Sequence, residues 1–93
     1  MKQITSKKIT LKQQLTINEC LSIHLLQKEY KGTIYILHNH ETIKTTKLPT
    51  LVTFSLLTTA NSEITVIVEG LDAETTLENV CELFNQQDLL QAQ

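Results

Sequence analysis

Ninety-three residues supply one domain with one core, and too little chain for two. Apolar residues make up 41% and charged residues 19%, which sets the chain apart from disordered sequences. A net charge of −2 and a pI near 5.8 exclude the global basic footprint of a nucleic-acid binder.

With two Phe, two Tyr and no Trp, the core has to be built from Ile, Leu and Val. The first element alternates over Lys7 to Lys12, with Ile9 and Leu11 on one face and Lys8, Thr10 and Lys12 on the other, which reads as a half-buried strand. Thr16-Ile17-Asn18-Glu19 then has the form of a capping box. The Thr16 hydroxyl is expected to accept from the Glu19 N–H, and the Glu19 carboxylate from the Thr16 N–H. The helix it opens runs from about Ile17 to Tyr30 and stops at Lys31-Gly32. Its apolar residues, Ile17, Cys20, Leu21, Ile23, Leu25, Leu26 and Tyr30, are too widely spread for one seam.

Thr33 to Leu37 is β-branched and aromatic, and Thr42 to Thr46 follows after the polar break His38-Asn39-His40-Glu41, so the pair reads as a hairpin. Pro49 suits the first position of a short apolar helix reaching Leu57, because that N–H has no intrahelical partner. Asn61-Ser62 marks a turn. Glu63 to Glu69 is a strand with Ile64, Val66 and Val68 inward, closed by Gly70. Asp72 is a candidate cap for a last helix in which Leu77, Val80, Cys81 and Phe84 follow helical spacing. The core is expected over about residues 5–86 of a single 1–93 domain, with a fraying tail at its end.

The order β-α-β-β-α-β-α implies an α+β fold, a four-stranded antiparallel sheet with three helices on one face and the other face open. This order, the short middle helix and a last strand ending Glu-Gly-x-Asp resemble the HPr family, the histidine-containing phosphocarriers of the bacterial phosphoenolpyruvate:sugar phosphotransferase system. The resemblance covers roughly Thr5 to Phe84. Its most specific part is Ser62-Glu-Ile-Thr-Val-Ile-Val-Glu-Gly70-Leu-Asp72-Ala-Glu-Thr-Thr-Leu77-Glu-Asn-Val80, and Lys28-Glu29-Tyr30-Lys31-Gly32 fits as well.

The resemblance implies an open-faced β-sandwich and a phosphoacceptor motif, Gly-Leu-His-x-Arg-Pro-Ala. The same positions here read Gln14-Leu15-Thr16-Ile17-Asn18-Glu19-Cys20, so only Leu15 remains. Thr16 takes the place of the histidine, Asn18 of the arginine and Glu19 of the proline. The family's regulatory serine falls at Pro49. The reading that follows is a non-catalytic regulatory or protein-binding module. The alternatives are a divergent phosphocarrier using His24 or Thr16, or a fold-only structural or oligomeric relative.

By the same resemblance, protein partners dock on the first and middle helices, through Leu21, Leu25, Leu51 and Phe54. The rival expectation for Leu51 and Phe54 is deeper packing of the middle helix. Tyr35, Leu37 and Ile67 project from the open sheet face and are candidates for self-association. His38, His40 and Glu41 offer two or three metal-type ligands, yet a polar hairpin tip accounts for them, and no metal or other cofactor is expected. Cys20 and Cys81 lack a redox or framework spacing and read as two reduced core thiols. No apolar run approaches a membrane span, and Met1-Lys2-Gln3-Ile4 lacks the apolar stretch of a signal peptide, so the expected compartment is the cytoplasm.

Overall fold

The computed structural model describes residues 3–91, with side chains as far as Phe84. The elements are β1 (Gln3–Thr10), α1 (Ile17–Glu29), β2 (Thr33–His38), β3 (Glu41–Lys44), α2 (Leu48–Leu57), β4 (Glu63–Gly70) and α3 (Ala73–Gln91). The four strands form one antiparallel sheet in the order β1-β4-β2-β3.

β4 is central and alternates strictly, with Ile64, Val66 and Val68 buried beneath the helices. Residues directly opposite one another share a face, so the register places Ile34 against Val68 and Ile36 against Val66 in the same core layer. The other face carries Tyr35 directly opposite Ile67, with Leu37 one step along, all three half-buried. Ile4, mostly exposed, lies on that same face opposite Glu69.

β1 differs from the expected Lys7–Lys12 strand. It starts at Gln3 and pairs along all eight residues of β4 up to Thr10↔Glu63. Leu11 leaves the ladder and is fully buried, with its N–H donating to the Ser62 carbonyl at 2.8 Å. The partner strand's length sets the pairing, and β1's own polar alternation carries no comparable signal.

Three helix boundaries also shift. α1 ends at Glu29, with Tyr30 as an extended C-cap, so Lys31-Gly32 lies beyond the cap. Gly32 is required by packing instead, because a Cβ there would strike the Glu69 carbonyl and the Tyr30 ring. α2 starts at Leu48, making Pro49 its second residue. α3 continues as helix to Gln91 through most of the expected tail. Asp72 does not cap α3 by its side chain. It turns into it with a φ of 53°, its carbonyl accepting from the Thr76 N–H at 3.1 Å.

A buried polar knot ties α1 to the sheet. The Gln27 Oε1 accepts from the Ile34 N–H at 2.7 Å and the Thr45 hydroxyl at 2.9 Å, while its Nε2 donates to the Gly32 carbonyl at 2.9 Å. Each buried partner is thereby satisfied, which is the condition under which a glutamine tolerates a core position.

Candidate functional site

The N-terminus of α1 sits beside the C-terminal end of α2. Leu15, just before the cap, is buried, and its N–H donates to the Thr58 Oγ1 at 3.0 Å. The Gln14 side chain donates to the Ser55 carbonyl at 3.3 Å. One turn further on, the Cys20 thiol donates to the Leu51 carbonyl at 3.6 Å. Burial pushes the Cys20 thiol pKa up, opposed by a side-chain hydrogen bond with Ser55 and reinforced by the nearby Glu19 charge.

The expected capping box is present in full. Thr16 is the N-cap with extended backbone, its Oγ1 accepts from the Glu19 N–H at 3.1 Å, and the Glu19 Oε1 accepts from the Thr16 N–H at 2.8 Å. A helix N-terminus attracts anions through its free N–H groups and the positive end of its dipole. Here a hydroxyl and a carboxylate from the same turn take that role. The carboxylate is itself the anion, and Thr16, Ile17 and Asn18 around it are exposed.

The three histidines stand elsewhere. His24 lies in the middle of α1, part-buried, with Nδ1 at 3.3 Å from the Thr45 carbonyl. His38 ends β2 and packs edge-on against Phe54, ring centroids 5.4 Å apart at 77°. His40 occupies the hairpin turn with a φ of 68°. His38 and His40 therefore do not project together as i, i+2 strand residues would. Among the described residues, no group of three or more His, Cys, Asp or Glu is arranged to hold a metal ion.

The expected docking residues divide. Leu21 and Leu25 are exposed on α1. Leu51 is 0% exposed and Phe54 5%, so they are core residues and cannot form a surface patch. The middle helix packs deeply because Leu51, Phe54 and Ser55 all face inward. The apolar side chains that α2 does expose are Leu56 (70%) and Leu57 (65%). The over-apolar α1 contributes Ile17 as well, 62% exposed one turn before Leu21. Helical angles put Ile17 and Leu21 on the α2 side of α1, and Leu56 on the α1 side of α2. The apolar surface therefore lies over the α1–α2 seam. The excess of apolar residues around α1 was the signal for Ile17; nothing in the local pattern of α2 separated Leu56 from Leu51.

No family model matches the chain, and no curated protein matches it. Solved structures do. The phosphocarrier protein HPr of Bacillus anthracis superposes with a TM-score of 0.74 at 22% identity, over 87% of this chain and 96% of that one. The fold is that of HPr. HPr-C-His of Thermoanaerobacter tengcongensis follows with a TM-score of 0.72 at 11% identity, over 90% and 92% of the two chains. The histidine-containing phosphocarrier protein of Mycoplasma gives 0.70 at 17%, over 87% and 90%. Identities this low show shared architecture alone, and in this HPr fold the α1 N-cap residue is Thr16. Among the described residues, no helix is long and apolar enough to cross a membrane.

Proposed function

We propose that this HPr-like chain is a bacterial, cytoplasmic protein-binding module that does not carry phosphate, and that it docks other proteins over the α1–α2 seam. The observation that carries this reading is the closed capping box at the start of α1. A phosphocarrier needs a group that takes phosphate and gives it up again, which neutral imidazole does near physiological pH. Thr16 is a hydroxyl with no histidine beside it, and a phosphate on it would be a stable ester. Asn18 lacks the charge and bidentate fork with which an arginine would steady a phosphate. Glu19 adds a negative charge to the helix end that would otherwise attract an anion, which supports this reading. These changes act independently and in one direction.

The exposed Ile17, Leu21 and Leu56 supply the docking surface. The two unpaired thiols, Cys20 and Cys81, accord with a reducing compartment. The deciding experiment incubates the protein with phosphoenolpyruvate and the general enzyme that phosphorylates HPr proteins, with an ordinary HPr as control. The expected result is no phosphate on this chain but saturable binding to that enzyme or to another HPr partner, abolished by Ile17→Glu with Leu56→Glu. An acid-labile phosphate on His24, or a Thr16 phosphate that passes on to a downstream acceptor, would establish a divergent carrier instead. Neither binding nor label would leave a fold-only relative.

Tyr35 opposite Ile67, with exposed Ile4 on the same face, supports a second surface, for self-association. Light scattering tests it: identical monomers for wild type and Tyr35→Lys would remove it.

A further inference from the structure

A cleft of about 240 Å³ opens between α2 and the β2–β3 hairpin. The docking surface does not use it. Its apolar lining is the buried Phe54, the half-buried Ile43 and, at the mouth, the exposed Leu57. Its rim is polar. His38 and Glu41 are a directly opposed cross-strand pair, and Thr50 and Thr53 lie one turn apart on α2.

Three observations describe this rim. Among the described residues, no hydrogen bond or ion pair engages the side chains of His38, Glu41, Thr50 or Thr53. Glu41 and Thr53 are exposed and His38 and Thr50 half-buried, so these groups face solvent when the cleft is empty. Next, the hairpin presenting His38 and Glu41 turns through Asn39 and His40, both at positive φ (49° and 68°). Two-residue turns of this kind favour Asn-Gly, and a histidine in the second place holds a conformation it enters reluctantly. The turn closes directly on the His38–Glu41 pair. Last, Glu41 is the one carboxylate in the lining, and no lysine or arginine stands there to neutralise it.

We propose that the cleft binds a small amphipathic amine. An aromatic or short alkyl body lies on Phe54, Ile43 and Leu57, and the ammonium donates to the Glu41 carboxylate. The Thr50 and Thr53 hydroxyls stand on the same rim and can accept from its remaining N–H donors. An apolar floor beside an unneutralised anion selects this chemistry over a carboxylate or phosphate, since charge-assisted hydrogen bonds are the strong ones. The volume admits a single ring with a short chain.

Heteronuclear NMR titration with phenethylamine tests the proposal, against 2-phenylethanol, 3-phenylpropanoate and n-butylamine. Saturable shifts are expected at Ile43, Thr53, Phe54 and Leu57, with phenethylamine several-fold tighter than the alcohol and the acid weakest. Glu41→Gln should bring the amine to the level of the alcohol. Thr53→Trp should fill the cleft and abolish binding, with thermal unfolding showing that this variant is folded. Absent or scattered shifts would overturn the proposal, as would a carboxylate binding as well as the amine or Glu41→Gln without effect. n-Butylamine binding as tightly as phenethylamine would also overturn it, because the site would then read an ammonium group alone, as on a lysine side chain.

Discussion

The start of α1 and the cleft beside α2 use the same kinds of residue to opposite ends. At the start of α1 a threonine and a glutamate close on each other and on the backbone, within four consecutive residues. In the cleft two threonines, a glutamate and a histidine converge without a side-chain hydrogen bond or ion pair among the described residues, His38 touching only the Phe54 ring edge-on. The difference is the distance to a backbone partner. Thr16 and Glu19 bond the N–H groups of their own helix end, whereas Thr53 sits in the interior of α2 and Thr50, in its first turn, bonds none. Polar side chains near orphan backbone groups become structure. Those far from them keep their hydrogen-bonding capacity for a ligand. On this view, substitutions around the closed end should cost stability, and those around the cleft should not.

The largest effect belongs to the seam beneath the closed end. Leu51→Ala removes a fully buried side chain between α1 and α2 and should lower unfolding stability by about 3 kcal/mol in denaturant titration. A loss below about 1 kcal/mol would mean that the two helices are not tightly packed there.

The second effect is alkaline. Burial raises the Cys20 and Cys81 pKa values above the ordinary 9.0, so the native state keeps their protons longer than the unfolded chain. Their stabilising contribution is complete below pH 9 and declines as pH rises from there toward the folded values. The slope should approach about 1.4 kcal/mol per pH unit for each thiol. Cys20→Ala, monitored by denaturation as the pH is raised through the ordinary thiol range, should flatten the curve; an unchanged slope would place the alkaline sensitivity elsewhere.

Thr16→Ala should cost about 1 kcal/mol by removing the oxygen that accepts the Glu19 N–H, with Thr16→Ser restoring most of it. An equal loss in both variants would show that the methyl group, and not the cap, matters. At the other extreme, Glu41→Gln and Thr53→Ala in the cleft should change stability by less than about 0.5 kcal/mol, because neither side chain has a partner to lose. A larger loss at either position would erase the contrast between the two regions.

What could be read in advance follows the same division. The capping box was legible because it joins residues three apart and needs nothing from the rest of the fold. β4 was legible because strict alternation of Ile64, Val66 and Val68 admits one assignment. β1 was only half legible: its start at Gln3 comes from pairing with β4, and its own sequence is polar on both faces. The docking surface was half legible too. Leu21 and Leu25 are exposed as the crowded α1 pattern suggested, but α2 is apolar along its whole length, and only its depth against the sheet separates buried Leu51 and Phe54 from exposed Leu56 and Leu57. The cleft was invisible, since it joins a hairpin to a helix, and those residues looked like a hairpin tip and a few poor helix formers.

The amino-acid order by itself determined the element types, the core face of the central strand and the self-closure of the α1 N-terminus, all set by contacts within one helical turn or one strand. The tertiary structure decided which apolar residues are core and which are surface, where β1 begins, and that four polar side chains share a cleft with none of them hydrogen-bonded. Those outcomes depend on how deeply α2 settles against α1 and the sheet. That depth is fixed by the volumes of side chains distant in sequence, and no local pattern encodes it.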